Sequence, residues 1–260
     1  MSTISSLKSY RYLSLILLLN LAFFIFNLIY DTHGAIQVMC NCLVVFLTPV
    51  AFNLSTKNKD QQLLKNTFLL PTLFCITEIL LNTIVDGQYS RTYIIVRMIY
   101  FIVFLIVWIS TFFKEGINFS NRKRFGTLKN LVMVLIPLSI LWLMISENQN
   151  DELIYLLAMT IAVLSTFNFN IILNRKYTNR ANYFFGLLGG LSLLSISFFS
   201  ATYFYLYNEM TVMHFTKFMF YNTIIFYMFG IDWKVVLIKE NEKVINITTA
   251  EIIGEKDFSL

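Results

Sequence analysis

Long apolar runs separated by short polar connections dominate the pattern along the chain. A helix needs roughly 20 mostly apolar residues to cross about 30 Å of hydrocarbon, and eight segments approach or reach that length. The predicted spans 1 to 8 are Tyr12–Tyr30, Ile36–Leu54, Thr67–Val85, Thr92–Phe113, Leu128–Ile145, Leu153–Leu173, Tyr183–Leu206 and Phe215–Val236. The pattern therefore predicts an all-α integral membrane protein, a bundle of eight transmembrane helices.

Composition supports a membrane-embedded chain. Hydrophobic residues make up 57% of the 260 residues and charged residues only 13%, about half the charged share of a soluble domain. The mean hydropathy is +0.66. Since a soluble fold of this length cannot bury so much apolar surface, the excess must face lipid. This excludes the soluble, fibrous and low-complexity classes.

The distribution of basic residues predicts the orientation. With the amino terminus inside, 17 of the 20 Lys and Arg residues fall on the cytoplasmic side. Arg91 and Lys217 fall on the outer side, and Arg97 lies within span 4. By the positive-inside rule we expect both termini to be cytoplasmic, in a bacterial inner membrane. The net charge of +5 is then an orientation signal, and no nucleic-acid partner is expected.

The chain divides into a transmembrane domain, residues 1–236, and a polar cytoplasmic tail, residues 237–260. The tail is too short to form a domain alone, but it offers a docking segment. Span 7 carries Gly186, Gly189 and Gly190, a small-residue face that permits close helix approach. Membrane lipid is an expected partner, and other membrane proteins are a further one, through this face or the tail.

Candidate chemistry lies inside the spans, because the motifs of soluble enzymes are absent and no cofactor or metal site is predicted. Ionisable groups within a membrane are functional candidates by default. Glu78 in span 3 and Arg97 in span 4 lie about equally far from the connecting turn at Gly87. We therefore predict an intramembrane ion pair, which either holds two helices together or marks a buried polar cavity.

Ser197 in span 7 is expected near the depth of Glu78, since both spans run outward. Further hydrogen-bonding groups lie in spans 6 and 8. The candidate pocket-lining residues are Asn168, Asn170, Tyr221 and Asn222.

Two short stretches carry a family resemblance. The run Leu73–Leu81 contains Thr77-Glu78, and Gly190-Leu191 is followed at a short spacing by Ser197-Phe198. This layout resembles the YhhN/TMEM86 family of lysoplasmalogenases, which has Gly-Asp at the first place and Ser-Asp or Ser-Asn at the second. The Lys-Pro of the family's second helix and the histidine of its fourth are missing here.

The resemblance implies acid-assisted hydrolysis of the vinyl-ether bond of a lysoplasmalogen. Glu78 would then be the catalytic acid and Ser197 would hold water. Burial favours the protonated acid that this role requires, whereas a paired Arg97 favours the ionised form. Phe198 stands where the family has its second polar group.

Three hypotheses follow. The first is a non-catalytic or catalytically degenerate member of the lysoplasmalogenase-like fold, acting as a membrane-complex subunit. The second is a lysoplasmalogenase-like lipid hydrolase, and the third is a small-solute transporter. A closed and well-packed core would favour the subunit, an apolar groove beside Glu78 and Ser197 the hydrolase, and a continuous polar path the transporter.

Overall fold

The computed structural model describes residues 11–30, 35–56, 61–84, 91–116, 139, 152–175, 180–202 and 210–231. Seven α helices make up this part of the chain. They are α1 (Arg11–Tyr30), α2 (Ala35–Thr56), α3 (Gln61–Ile84), α4 (Arg91–Glu115), α5 (Glu152–Asn174), α6 (Arg180–Thr202) and α7 (Met210–Gly230). Five of them, namely α1, α2, α4, α5 and α6, are long and apolar enough to cross a membrane. Over the described residues the predicted all-α class is confirmed, and these five helices support the predicted integral membrane protein.

Helices α1 to α4 correspond to predicted spans 1 to 4, and α5 to α7 correspond to spans 6 to 8. Span 5, except Ser139, and the tail 237–260 lie outside the described residues. All seven helices begin earlier than the apolar runs, and the difference is largest for α3, which begins at Gln61 instead of Thr67, and for α7, which begins at Met210 instead of Phe215. The extra residues of α3 are mostly polar, and a hydropathy criterion misses them although Gln, Leu and Lys favour helix.

Large apolar side chains cover the outside of the bundle. In α1, Leu15 and Leu18 are each 61% exposed and Ile29 is 68% exposed, whereas Leu13 and Ile16 are buried. One stripe of the helix thus faces outward and another faces the other helices. An outward face of leucine and isoleucine is what a lipid environment requires.

Helix α7 lies at the centre of the bundle, because side chains or backbone of all six other described helices contact it. The contacts are Asn20–Asn222 from α1, Phe52–Phe229 from α2, Phe74–Phe220 from α3, Phe101–Phe220 from α4, Asn168–Tyr227 from α5 and Gly186–Gly230 from α6. Its polar side chains are shielded from lipid, which explains how a less apolar helix is tolerated there.

The contacts also fix the relative directions of the helices. Helix α6 is antiparallel to α7, since Gly186 lies against Gly230 and Phe199 against Phe215. Helix α5 is antiparallel to α6, because its Ser165 meets Ser197 and its later residues Phe169 and Ile172 meet Gly190. It follows that α5 and α7 run in the same direction.

Helix α4 also runs parallel to α7. Phe101 of α4 contacts Phe220, and Trp108, two turns later, contacts Tyr227, which is two turns after Phe220. Therefore α4 and α5 point the same way, although they are consecutive among the described helices.

Aromatic rings fill the middle of the bundle. Phe220 lies 5.5 Å from both Phe74 and Phe101, measured between ring centroids, and 5.7 Å from Phe104. Nearer the other end of α7, Tyr227 lies 5.2 Å from the rings of Trp108 and Phe112. These edge-on and tilted contacts are the favoured geometries of buried aromatic pairs, and they give the bundle a packed core.

The small-residue face of α6 is used within the chain. A Cβ added at Gly190 would lie 2.7 Å from the ring of Phe169, and one at Gly189 would collide with the ring of Tyr227. A Cβ added at Gly230 would lie 2.7 Å from the backbone nitrogen of Gly186. These glycines let α6 approach α5 and α7 closely, so the chain's own helices cover this face.

Candidate functional site: a buried charged layer

Glu78 of α3 and Arg97 of α4 form an ion pair, in which Arg97 Nη2 donates to Glu78 Oε1. The Glu78 side chain is 4% exposed and the Arg97 side chain 25% exposed. The pair arises because α3 and α4 are antiparallel neighbours whose charged residues lie at the same depth. Arg97 is thus the more accessible partner.

Lys217 of α7 is a second cation close to this pair. It is 8% exposed, and its ammonium lies within electrostatic range of both Glu78 and Arg97. Among the described residues, the Lys217 side chain makes no hydrogen bond or ion pair. The charge pattern of the sequence predicts Lys217 on the outer side, and the structure places it inside the bundle on the central helix.

The three charged residues share one layer, which lies against a layer of aromatic rings. Phe74 precedes Glu78 by one helical turn, and Tyr221 follows Lys217 by one turn. The rings of Phe74 and Tyr221 are 6.1 Å apart, and Phe74 also lies 5.7 Å from Tyr100, which follows Arg97 by three residues. The charged layer and the aromatic layer are therefore about one helical turn apart on α3, on α4 and on α7.

Ser197 lies near this layer but contacts α5. Its hydroxyl has two possible acceptors, Ser165 Oγ at 3.3 Å and the backbone carbonyl of Leu193 at 3.4 Å. The contact between Phe199 and Phe215 puts Ser197 opposite the turn that begins at Lys217. Within the described part of the chain, no hydrogen bond joins Ser197 to Glu78.

Phe198 takes the position at which the resembled family has its second polar group. Its side chain is 41% exposed, and its ring contacts the neighbouring ring of Phe199 at 5.4 Å. The position therefore faces the outside of the bundle and not the charged layer.

The four candidate pocket-lining residues are distributed along the bundle. Asn222 accepts from Asn20 Nδ2 at 2.9 Å, and Asn168 Oδ1 accepts from the Tyr227 hydroxyl at 3.1 Å. Tyr221 belongs to the aromatic layer, and the backbone carbonyl of Asn170 accepts from Asn174. Asn222 and Tyr227 are five residues apart on α7, about 7.5 Å along the helix axis. Each of the four candidates thus has a different partner, at a different place in the bundle.

A second ion pair, which the sequence pattern does not predict, lies at the opposite end of the bundle. Arg175 Nη1 lies 2.8 Å from Glu115 Oε2, and both side chains are at most 4% exposed. Arg175 Nη2 also donates to the carbonyl of Asn182, and the guanidinium lies 5.0 Å from the centre of the Phe112 ring. Arg175 joins α4, α5 and α6, so its role in this arrangement is structural.

The chemistry available in the charged layer follows from these positions. The Glu78 carboxyl group accepts a hydrogen bond from Arg97 and lies beside a second cation, Lys217. Two cations beside one carboxylate attract a further anion. Among the residues that the structure describes, no group of three or more His, Cys, Asp or Glu side chains is placed to hold a metal ion.

Comparisons with protein-family models, curated proteins and solved structures find no match for this chain. The resemblance to the lysoplasmalogenase family stays a prediction.

Proposed function

We propose that this chain is a non-catalytic member of the lysoplasmalogenase-like membrane fold and serves as a subunit of a membrane complex. The observation that carries the proposal is the ion pair of Glu78 with Arg97, with Lys217 close by. Glu78 Oε1 accepts a hydrogen bond from the Arg97 guanidinium. A carboxyl group that is engaged with a cation inside the bundle is not presented to an enol ether as the acid that its cleavage needs.

The surroundings of Ser197 support the same proposal. Its hydroxyl is engaged with Ser165, and Phe198 faces outward at the family's second polar position. A hydroxyl without a neighbouring base activates water only weakly. The site thus offers neither a free acid nor a base.

The packed core argues against a transporter. The rings of Phe74, Phe101, Phe104 and Phe220 lie between the charged layer and the ion pair of Arg175. A transported solute needs a polar route past that point, and tightly packed aromatic rings favour a bundle that stays closed.

The proposed architecture has eight spans, with both termini cytoplasmic in a bacterial inner membrane. Helices α4 and α5 run in the same direction, which favours one crossing between them, and residues 117–151 contain predicted span 5. The positive-inside rule supplies the orientation. The polar tail 237–260 remains the proposed docking segment, since the glycine face of α6 is covered by α5 and α7.

Aldehyde release from a lysoplasmenyl lipid by the purified chain tests the absence of catalysis. We expect release to equal the protein-free background, and Glu78→Gln and Ser197→Ala to leave it unchanged. Release that Glu78→Gln abolishes would contradict the proposal and establish the hydrolase alternative.

The subunit role needs a measurement of its own. After mild solubilisation of native membranes, we expect the chain in a particle larger than the 30.4 kDa monomer with its detergent. Deleting residues 237–260 should release it as a monomer. A monomer from the outset, in every mild detergent, would contradict the role.

A further inference from the structure

Counted over the described residues, the charged layer holds an excess of one positive charge. Arg97 and Lys217 are cations, and Glu78 is the only carboxylate within electrostatic range of Lys217 among the described residues. Arg97 takes up Glu78 in the ion pair. A buried charge without a counter-ion lowers the stability of the fold. A buried cation of this kind is tolerated in a protein when a bound ligand of opposite charge neutralises it.

Gln37 of α2 adds an unused donor near this layer. Its side chain is 2% exposed, and its Nε2 has no hydrogen-bond partner among the described residues. Helices α2 and α3 are antiparallel, since Cys42 meets Cys75 and Asn53 meets Thr67. Gln37 precedes Cys42 by five residues, which puts it at about the depth of Leu80 and close to that of Glu78. A buried amide N–H without an acceptor, like a buried cation without an anion, indicates a site for an acceptor.

We propose that Lys217 and Arg97 bind the phosphodiester of a lipid headgroup, with Gln37 as a further donor. A phosphodiester carries one negative charge, which cancels the excess of the layer. Arg presents paired N–H groups to phosphate oxygens and Lys presents a point charge, the two usual ways in which proteins hold phosphate. This inference rests on the proposed function, because it assumes a site that binds its ligand without hydrolysing it.

The surroundings favour a lipid over free phosphate. Arg97 is the partly exposed member of the layer. The outward faces of the two helices that carry Glu78 and Arg97 are apolar, since Ile76, Ile79 and Ile99 are each about half exposed. An anion that reaches Arg97 from outside the bundle is best accompanied by an acyl chain, which can cover such exposed isoleucines. Free phosphate gains nothing from them.

Binding to the full chain in a non-ionic maltoside detergent tests the site. The probe is oleoyl-lysophosphatidylglycerol, and monooleoylglycerol is its match without the phosphate. We expect the phospholipid to bind and to raise the unfolding temperature, and monooleoylglycerol to do neither. Lys217→Met should weaken phospholipid binding by about tenfold or more. The control Arg91→Gln removes an exposed cation from the start of α4 and should bind as the native chain does.

Three results would overturn the inference. The first is binding of monooleoylglycerol as tight as that of the phospholipid. The second is displacement of the phospholipid by equimolar inorganic phosphate. The third concerns the fold. Lys217→Met removes an unmatched charge, so without lipid its unfolding temperature should equal or exceed that of the native chain. A lower temperature together with unchanged lipid affinity would make Lys217 a structural counter-ion of Glu78.

The probe separates this inference from the proposed function. Oleoyl-lysophosphatidylglycerol has no vinyl ether, so its binding does not depend on whether the chain cleaves one. Aldehyde release from a lysoplasmenyl lipid would therefore refute the non-catalytic role and leave the binding result standing. Absence of phospholipid binding would refute the site and leave the non-catalytic role standing.

Discussion

Among the described residues, Glu78 is the single acid that lies with the two cations Arg97 and Lys217. Its contribution to the stability of the fold therefore differs from that of either cation. When Arg97 is lost, Lys217 remains within electrostatic range of the carboxylate. When Glu78 is lost, two cations remain together in a buried layer. A buried charge left without its partner is the main cost of breaking such a pair.

We therefore predict that Glu78→Leu destabilises the protein more than Arg97→Leu does. Glu78→Leu should cost about 3–5 kcal/mol, the usual cost of breaking a buried pair. Arg97→Leu should cost about 1–3 kcal/mol, because it loses a charged hydrogen bond while Lys217 still neutralises Glu78. Unfolding of the reconstituted chain in mixed micelles measures both changes. A larger loss for Arg97→Leu would show that Lys217 does not act on Glu78.

Only part of this layer could be predicted from the sequence. Equal distances of Glu78 and Arg97 from one turn suffice to predict their pairing, because the two helices are consecutive and antiparallel. Lys217 lies near the start of a predicted span, where lysine is common as an anchor that reaches the headgroups. Its burial depends on six other helices around α7, which no local pattern encodes. The same reason hides the pair of Glu115 and Arg175, which are sixty residues apart.

At the scale of elements, the crossing of α6 and α7 depends on two glycines, one on each helix. The small-residue run of α6 predicts close packing, and the structure confirms it, but the sequence does not show which helix approaches. Gly230 supplies that partner, since its Cα has no side chain to hold the two backbones apart. Backbone atoms cannot rotate away as a side chain can, so this contact tolerates little change.

We predict that Gly230→Ala destabilises the bundle by about 1–3 kcal/mol through overpacking. The added methyl group would lie 2.7 Å from the Gly186 nitrogen and 3.0 Å from its Cα. Ser195→Ala is a suitable control on α6, because the Ser195 hydroxyl bonds only to Leu191 O of its own helix. Thermal unfolding in one detergent compares the two variants. Equal stability of both variants would show that α6 and α7 lie farther apart at their crossing than they do in the structure.

At the scale of the whole molecule, the directions of the helices limit the topology. Hydropathy alone predicts spans 1 to 4 and 6 to 8 at the places where the described helices lie. It does not predict that spans 4 and 6 both pack beside span 8, because such neighbours follow from contacts far apart in sequence. The shared direction of α4 and α5 is the structural observation that bears on how many times the chain crosses the membrane between these two helices.

Cysteine accessibility in intact cells tests the proposed topology. After replacement of Cys40, Cys42 and Cys75, an impermeant thiol reagent should label Gln88→Cys and Asn148→Cys from outside. The same reagent should reach Asn58→Cys, Asn121→Cys and Asn241→Cys only after permeabilisation. The pair Asn121 and Asn148 is the sharpest comparison, because the two positions flank predicted span 5. Labelling of both from the same side would leave no crossing between α4 and α5.

The central position of α7 has a consequence for how the protein is made. Of the described helices, α7 leaves the ribosome last, yet it is the one that the other six surround. Its His214, Lys217 and Asn222 discourage it from remaining in lipid alone. The earlier helices can pair before α7 arrives, as Glu78 of α3 does with Arg97 of α4, but only closing around α7 completes the bundle. Membrane insertion of the last helix and completion of the fold, which are separable stages for a bundle of uniformly apolar helices, are therefore coupled for this chain.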